Sequence, residues 1–193
     1  MYNPYAVGTQ VYLRHPTLAD AEGAWHEWLS DEETTRWLGL RQWPNSVERQ
    51  REFYESYRRG EDRLVLAIVD IATDTHIGVC NLSSINWVHR YCDIAIIIGD
   101  TKYRKGSCVL EAFSLLLKIA FLRLNMRIVK SSFASSNDAS QAIHDVFRFK
   151  EVGRLPGLLW DRGRYVDNVI AMLERGDWMK RNGLADEAKM PKS

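Results

Sequence analysis

The chain has 193 residues, enough for one domain with a substantial core and too few to promise two. Its 26 basic residues nearly match its 25 acidic ones, which argues against a broad nucleic-acid or membrane surface and for a small partner or a limited contact patch. Cys80, Cys92 and Cys108 form no C-x-x-C pair, residues 1–10 hold no basic segment leading into an apolar run, and no uncharged stretch has transmembrane length, so the expectation is a cytoplasmic protein without disulfides or metal.

In chain order, Thr9 to His15 alternates as a short strand, and Thr17 caps a helix whose apolar face holds Ala21, Ala24, Trp25 and Trp28. Helical segments follow around Asp31 to Leu38 and from Glu48 to Arg58, the latter anchored by Phe53, Tyr54 and Tyr57 and ended by Gly60. Leu64 to Ile71 and His76 to Asn86 read as a hairpin turned at residues 73–75, and Tyr91 to Ile98 pairs next. The helix from Val109 to Leu124 is apolar almost all round, its polar stripe being Glu111, Ser114 and Lys118, so it is predicted to lie nearly enclosed at the centre. Arg127 to Ala134 returns as a strand, and this order predicts a crossover with parallel pairing to the strand before the helix. Residues 135–137 cap a helix with Ala139, Ala142, Ile143, Val146 and Phe147 at helical spacing. Glu151 to Trp178 reads as two strands turned at residues 161–164, which leaves one domain over residues 1–180 and a loose tail at 181–193.

The most informative stretch runs from Ile96 to Ala112: a buried strand, a short basic loop and the start of the central helix. Such a junction aims unpaired backbone N–H groups at one point and adds the positive end of the helix dipole. Arg104 and Lys105 add full charges, so the loop suits a diphosphate such as that of coenzyme A; the plainer reading is a charged strand-to-helix turn.

Three motifs then give the sequence a family likeness. Residues 93–100, DIAIIIGD, precede Tyr103 and the Glu111–Ala112 pair; Asn137-x-x-Ser140 precedes residues 149–153, FKEVG; and residues 167–173, DNVIAML, precede Trp178. In this order they resemble the GNAT N-acetyltransferase superfamily, in the branch that acetylates ribosomal-protein N-termini, polyamines and sugar-nucleotide amines, over about Thr9 to Trp178. The resemblance implies an α/β (α+β) fold with a central mixed sheet of six to seven strands flanked by helices, acetyl-CoA as acyl donor, and direct attack by a primary amine. The acceptor it implies is a small or sugar-nucleotide amine; the alternatives are a protein N-terminus, or a fold retained only for binding or scaffolding. A homodimer through the terminal strands is also open.

By the same resemblance, backbone groups of Ile96, Ile97 and Ile98 contact the pantetheine arm, and Arg104, Lys105, Gly106, Ser107, Cys108 and Val109 surround the diphosphate. The sequence departs from the family pattern here: Lys105, Ser107 and Val109 stand where glycines are common, which narrows the loop unless the Ser107 hydroxyl binds phosphate itself. Asn137 and Ser140 match cofactor-binding positions, Asn137 also reading as a plain helix cap. Asp93 is the candidate base, or else simply pairs with a nearby Arg or Lys. His144 stands where many relatives carry a tyrosine that protonates the leaving thiolate; it is read as able to face the cofactor, or else as packed or solvent-facing. Cys108 has a setting that lowers a thiol pKa, though no histidine is placed to serve it as a nucleophile. Trp25, Trp28, Trp37 and Trp43 form an aromatic early wall, with Asp31, Glu32 and Glu33 beside it to attract a cationic amine or merely to start a helix.

Overall fold

Thr17 caps the first helix reciprocally: its hydroxyl accepts from the Asp20 N–H, and the Asp20 carboxylate accepts from the Thr17 N–H. In the computed structural model, which describes residues 1–39, 43–58, 60–104 and 106–184, that helix does not run through to Trp28. Gly23 breaks it into α1 (Leu18–Glu22) and α2 (Ala24–Trp28). α3 (Glu32–Thr35), capped by Asp31, and α4 (Val47–Tyr57), capped by Ser46, complete the early helices.

The sheet has eight strands, one or two more than expected, in the order β1-β2-β3-β4-β5-β6-β8-β7. The additional strand is β1 (Pro4–Val7), which has little buried surface and follows no alternating pattern, so periodicity does not reveal it. β2 (Val11–Arg14), β3 (Leu64–Asp70), β4 (His76–Asn86) and β5 (Tyr91–Ile98) form the antiparallel half. β6 (Ile128–Ala134) pairs with β5 in parallel, as the crossover requires, and β7 (Lys150–Asp161) and β8 (Arg164–Glu174) form the terminal hairpin. Trp178 lies not on a strand but on α7 (Arg175–Arg181), packed against Phe121 with ring centroids 5.3 Å apart.

The central helix α5 (Ser107–Lys118) passes into a π-helical turn at Ile119–Arg123. It buries Ala112, Phe113, Leu116 and Leu117 against Leu66, Cys80, Leu82 and Val129 of the sheet, which forms the main core. On the opposite face Ala21, Trp25, Tyr54 and Tyr57 pack on Val65 and Val79. Glu111, one of the polar residues of α5, turns out to be a clip. Its carboxylate accepts from the Thr9 N–H and hydroxyl (both 2.7 Å), the Gln10 N–H (2.7 Å) and the Val11 N–H (2.9 Å). Burial pushes its pKa up, but these bonds prevail and hold it below the ordinary value. Glu111→Gln turns an amide NH2 toward the same donors, and the expected loss is about 1–2 kcal/mol by urea denaturation, reduced by the partial exposure of the site.

Residues 185–193, most of the expected tail, lie outside the described residues, and α7 carries regular structure to Arg181. Among the described residues no helix is long and apolar enough to cross a membrane.

Candidate active site

β5 and β6 stay paired for only three rungs, Tyr91↔Ile128, Cys92↔Val129 and Asp93↔Lys130, and then separate. From Ile94 to Ile98 the β6-facing edge of β5 is outside the ladder, so its main-chain groups before the Ile98 carbonyl, which Arg104 takes, are left to a ligand or water. A cavity of about 310 Å³ opens beside this edge. Ile96, Ile97 and Ile98 form one wall, Val109 its base, and Asn137, Ala139, Ser140 and Ile143 of the α6 segment (α6, Asp138–Phe147) the facing wall. Glu33, Thr34, Trp37 and Leu38 bound it on the side of α3. Of the residues singled out from sequence, Glu33, Trp37, Ile96, Ile97, Ile98, Arg104, Val109, Asn137 and Ser140 therefore come together; Asp93, Gly106, Ser107, Cys108 and His144 are not in the described wall. Lys105 lies outside the described residues.

Gly106 is the N-cap of α5 and supplies no side-chain cap, which leaves first-turn N–H groups directed toward the loop. The surrounding side chains are arranged differently from the sequence expectation. Arg104 does not project as a free charge: its guanidinium donates to the carbonyls of Ile98 (3.1 Å) and Gly99 (3.3 Å) and to the Thr34 hydroxyl, bracing the loop against α3. Ser107 donates its hydroxyl to Gln10 Oε1 at 2.6 Å, and the Cys108 thiol lies 3.6 Å from the same oxygen. Burial, aided by Asp70 and Glu111, raises the Cys108 pKa instead of lowering it, so the reactive-thiol setting is absent. Gly99 is fixed sterically, since a Cβ there would lie 1.8 Å from the Trp28 indole.

Asn137 is both cap and wall: its side-chain oxygen accepts from the Ser140 N–H at 3.1 Å while the residue lines the cavity. His144 is turned the other way from the expected one. It is 4% exposed, among Phe113, Phe133 and Phe149, while its neighbour Ile143 lines the cavity. Its Nδ1–H donates to the Ser140 carbonyl at 2.6 Å, so in the neutral ring Nε2 is the bare nitrogen, buried without a partner among the described residues. Burial also holds its pKa below the ordinary value, leaving no proton directed at the cavity.

Asp93 sits on the last rung before the strands part, its side chain one-third exposed and 2.9 Å from Lys130 Nζ. Lys130 also lies 5.1 Å from the centre of the Tyr91 ring. Ile96 is three residue steps along the strand from Asp93, about 10 Å. α3 is tied to the terminal hairpin: Arg36 pairs with Asp161 at 3.0 Å, Ser136 donates to the same carboxylate at 3.0 Å, and Arg162 pairs with Glu33 at 2.9 Å. A second, polar hollow of about 470 Å³ lies at the start of β8, with Ser135, Ser136, Asp138, Arg164 and Tyr165 in its lining.

A parallel pair that opens beside a free strand edge, with an uncapped helix start at one end, can receive a long thiol-linked nucleotide; the residues present fit that group. The family model described as the acetyltransferase (GNAT) domain matches residues 10–150, and the chain belongs to that family. Its enzymes are acyl-CoA-dependent N-acetyltransferases, with acetyl-CoA as donor. Among solved structures, a spermidine N-acetyltransferase from Vibrio cholerae, in complex with CoA and spermine, aligns at TM-score 0.82 and 19% identity, covering 89% of this chain and 99% of its own. A probable acetyltransferase aligns at 0.79 and 21%, covering 91% and 98%. A dodecameric spermidine N-acetyltransferase from Vibrio cholerae aligns at 0.77 and 20%, covering 90% and 99%. These likenesses show a shared fold. No curated protein matches the sequence.

Proposed function

We propose that the protein transfers the acetyl group of acetyl-CoA to the primary amine of a small molecule by direct attack, with Asp93 taking the ammonium proton, directly or through water. The observation that carries this reading is the parting of β5 from β6 immediately beyond Asp93, beside a cavity walled by Ile96–Ile98 and the α6 segment. The free edge of β5 orients the pantetheine arm, and an N–H from it polarises the thioester carbonyl. The first turn of α5 receives the diphosphate, with Arg104 positioning the loop through Ile98 and Gly99 rather than binding phosphate outright. A thiolate leaving group needs no acid, which agrees with the burial of His144. The spermidine N-acetyltransferases of like fold act on a small amine, in keeping with an acceptor of this size.

An acceptor screen that follows release of the CoA thiol tests the assignment: release with at least one small amine is expected, and none with any amine overturns it. The outer strand β7 exposes Val152, Leu155, Leu158 and Trp160. This supports the reading of a homodimer through the terminal strands, which light scattering would reject by showing only monomer at micromolar concentration.

A further inference from the structure

We propose that Lys130 sets the class of acceptor: the mouth beside Asp93 takes an amine whose remainder is neutral or anionic, and excludes linear polycations. This rests on the acetyl-transfer reading of the same site. A polyamine is held by carboxylates that no protein cation has already matched. Four carboxylates on β5, at α3 and on the terminal hairpin are already matched, while Glu32, exposed on α3, has no ion pair among the described residues. Asp93 has Lys130 at 2.9 Å, Asp161 has Arg36 at 3.0 Å, Glu33 has Arg162 at 2.9 Å, and Asp31 has Arg104 at 3.9 Å.

Asp93 is the decisive one. Lys130 Nζ approaches both of its oxygens, at 2.9 and 3.2 Å, from the adjacent strand, with Tyr91 beneath it, and so already occupies the carboxylate that a further ammonium of the acceptor would pair with. A monoamine reaches Asp93 only long enough to lose one proton. A polycation brings further ammonium groups against Lys130, Arg36 and Arg162 with no unmatched partner among those four carboxylates. In the neighbouring hollow Asp138 shares the lining with Arg164, so that space is likewise not purely acidic.

The test is calorimetric titration of spermidine into the full-length protein saturated with CoA, at fixed ionic strength, for wild type, Lys130→Met and Lys130→Arg. Wild type and Lys130→Arg are expected to bind no spermidine below millimolar concentration, and Lys130→Met, which leaves Asp93 unmatched, to bind at least tenfold more tightly. Tight spermidine binding by wild type, or no gain in Lys130→Met when its CoA affinity is unchanged, overturns the proposal. These binding outcomes stand apart from turnover: CoA binding without transfer to any amine would refute the enzymatic reading while the spermidine comparison still decides the role of Lys130.

Discussion

Asp93→Asn lowers kcat by about 10²-fold or more at neutral pH, the lower range of what a positioned base contributes. Asp93 is outside the described wall of the cavity, so KM for acetyl-CoA stays within about twofold, a split that separates proton removal from donor binding. Part of the lost rate returns as pH rises, because more of the amine then arrives without its proton. The substitution also releases Lys130 from its 2.9 Å contact, so Lys130→Met is the necessary companion: it breaks the same ion pair while leaving the carboxylate in place. Steady-state kinetics on the pair provides the check, and unchanged turnover in Asp93→Asn removes the residue as base.

Asp20→Ala has the largest expected effect on stability, about 3–5 kcal/mol, because it leaves a buried guanidinium without its counter-charge. Arg14, 8% exposed, gives Asp20 two hydrogen bonds of 2.6 and 2.9 Å; the Thr17 N–H and hydroxyl give two more, and His76 Nδ1 lies 3.3 Å away. Burial alone would raise the Asp20 pKa, but Arg14, His76 and Thr17 outweigh it and hold it at about 2. A depressed carboxyl stabilises the fold fully above its ordinary value of 3.8 and loses that contribution as pH falls toward 2. Urea denaturation from pH 5 to pH 2.5 should therefore show a decline in wild type that is smaller in Asp20→Asn, and equal slopes would contradict the assignment. The effect reaches the candidate site through contact: His76 packs on Trp28 at 4.9 Å between ring centroids, and Trp28 lies over Gly99 at the start of the loop that leads into α5.

Elements that bury a periodic apolar face were legible in the sequence. β4, β5 and the central helix α5 fall where alternation and helical spacing put them, because burial of one face writes itself into the pattern. β1 and α7 carry short or exposed faces and left no comparable signal, and Gly23 ends α1 in a helical pattern that apolar spacing alone carries through. The cavity beside β5 was legible for a different reason: a buried strand, a loop and an apolar helix bring Ile96–Ile98 and Val109 together wherever the chain follows that order. What the residues do there depends on partners distant in sequence. Gln10 takes the Ser107 hydroxyl from 97 positions away, and Thr34 takes Arg104 from 70. His144 was misdirected because helical spacing places it beside the apolar stripe without saying which side faces the aromatic cluster of Phe113, Phe133 and Phe149. The Asp93–Lys130 pair needed the strand register, which joins two residues 37 apart.

A crystal structure of the protein grown with acetyl-CoA tests the central claim most directly. The account predicts pantetheine density along Ile96–Ile98, the diphosphate at the first turn of α5, and the thioester at the opening below Asp93. Density for the donor at another surface, or a cavity closed by Val109 with no donor bound at saturating concentration, would contradict it.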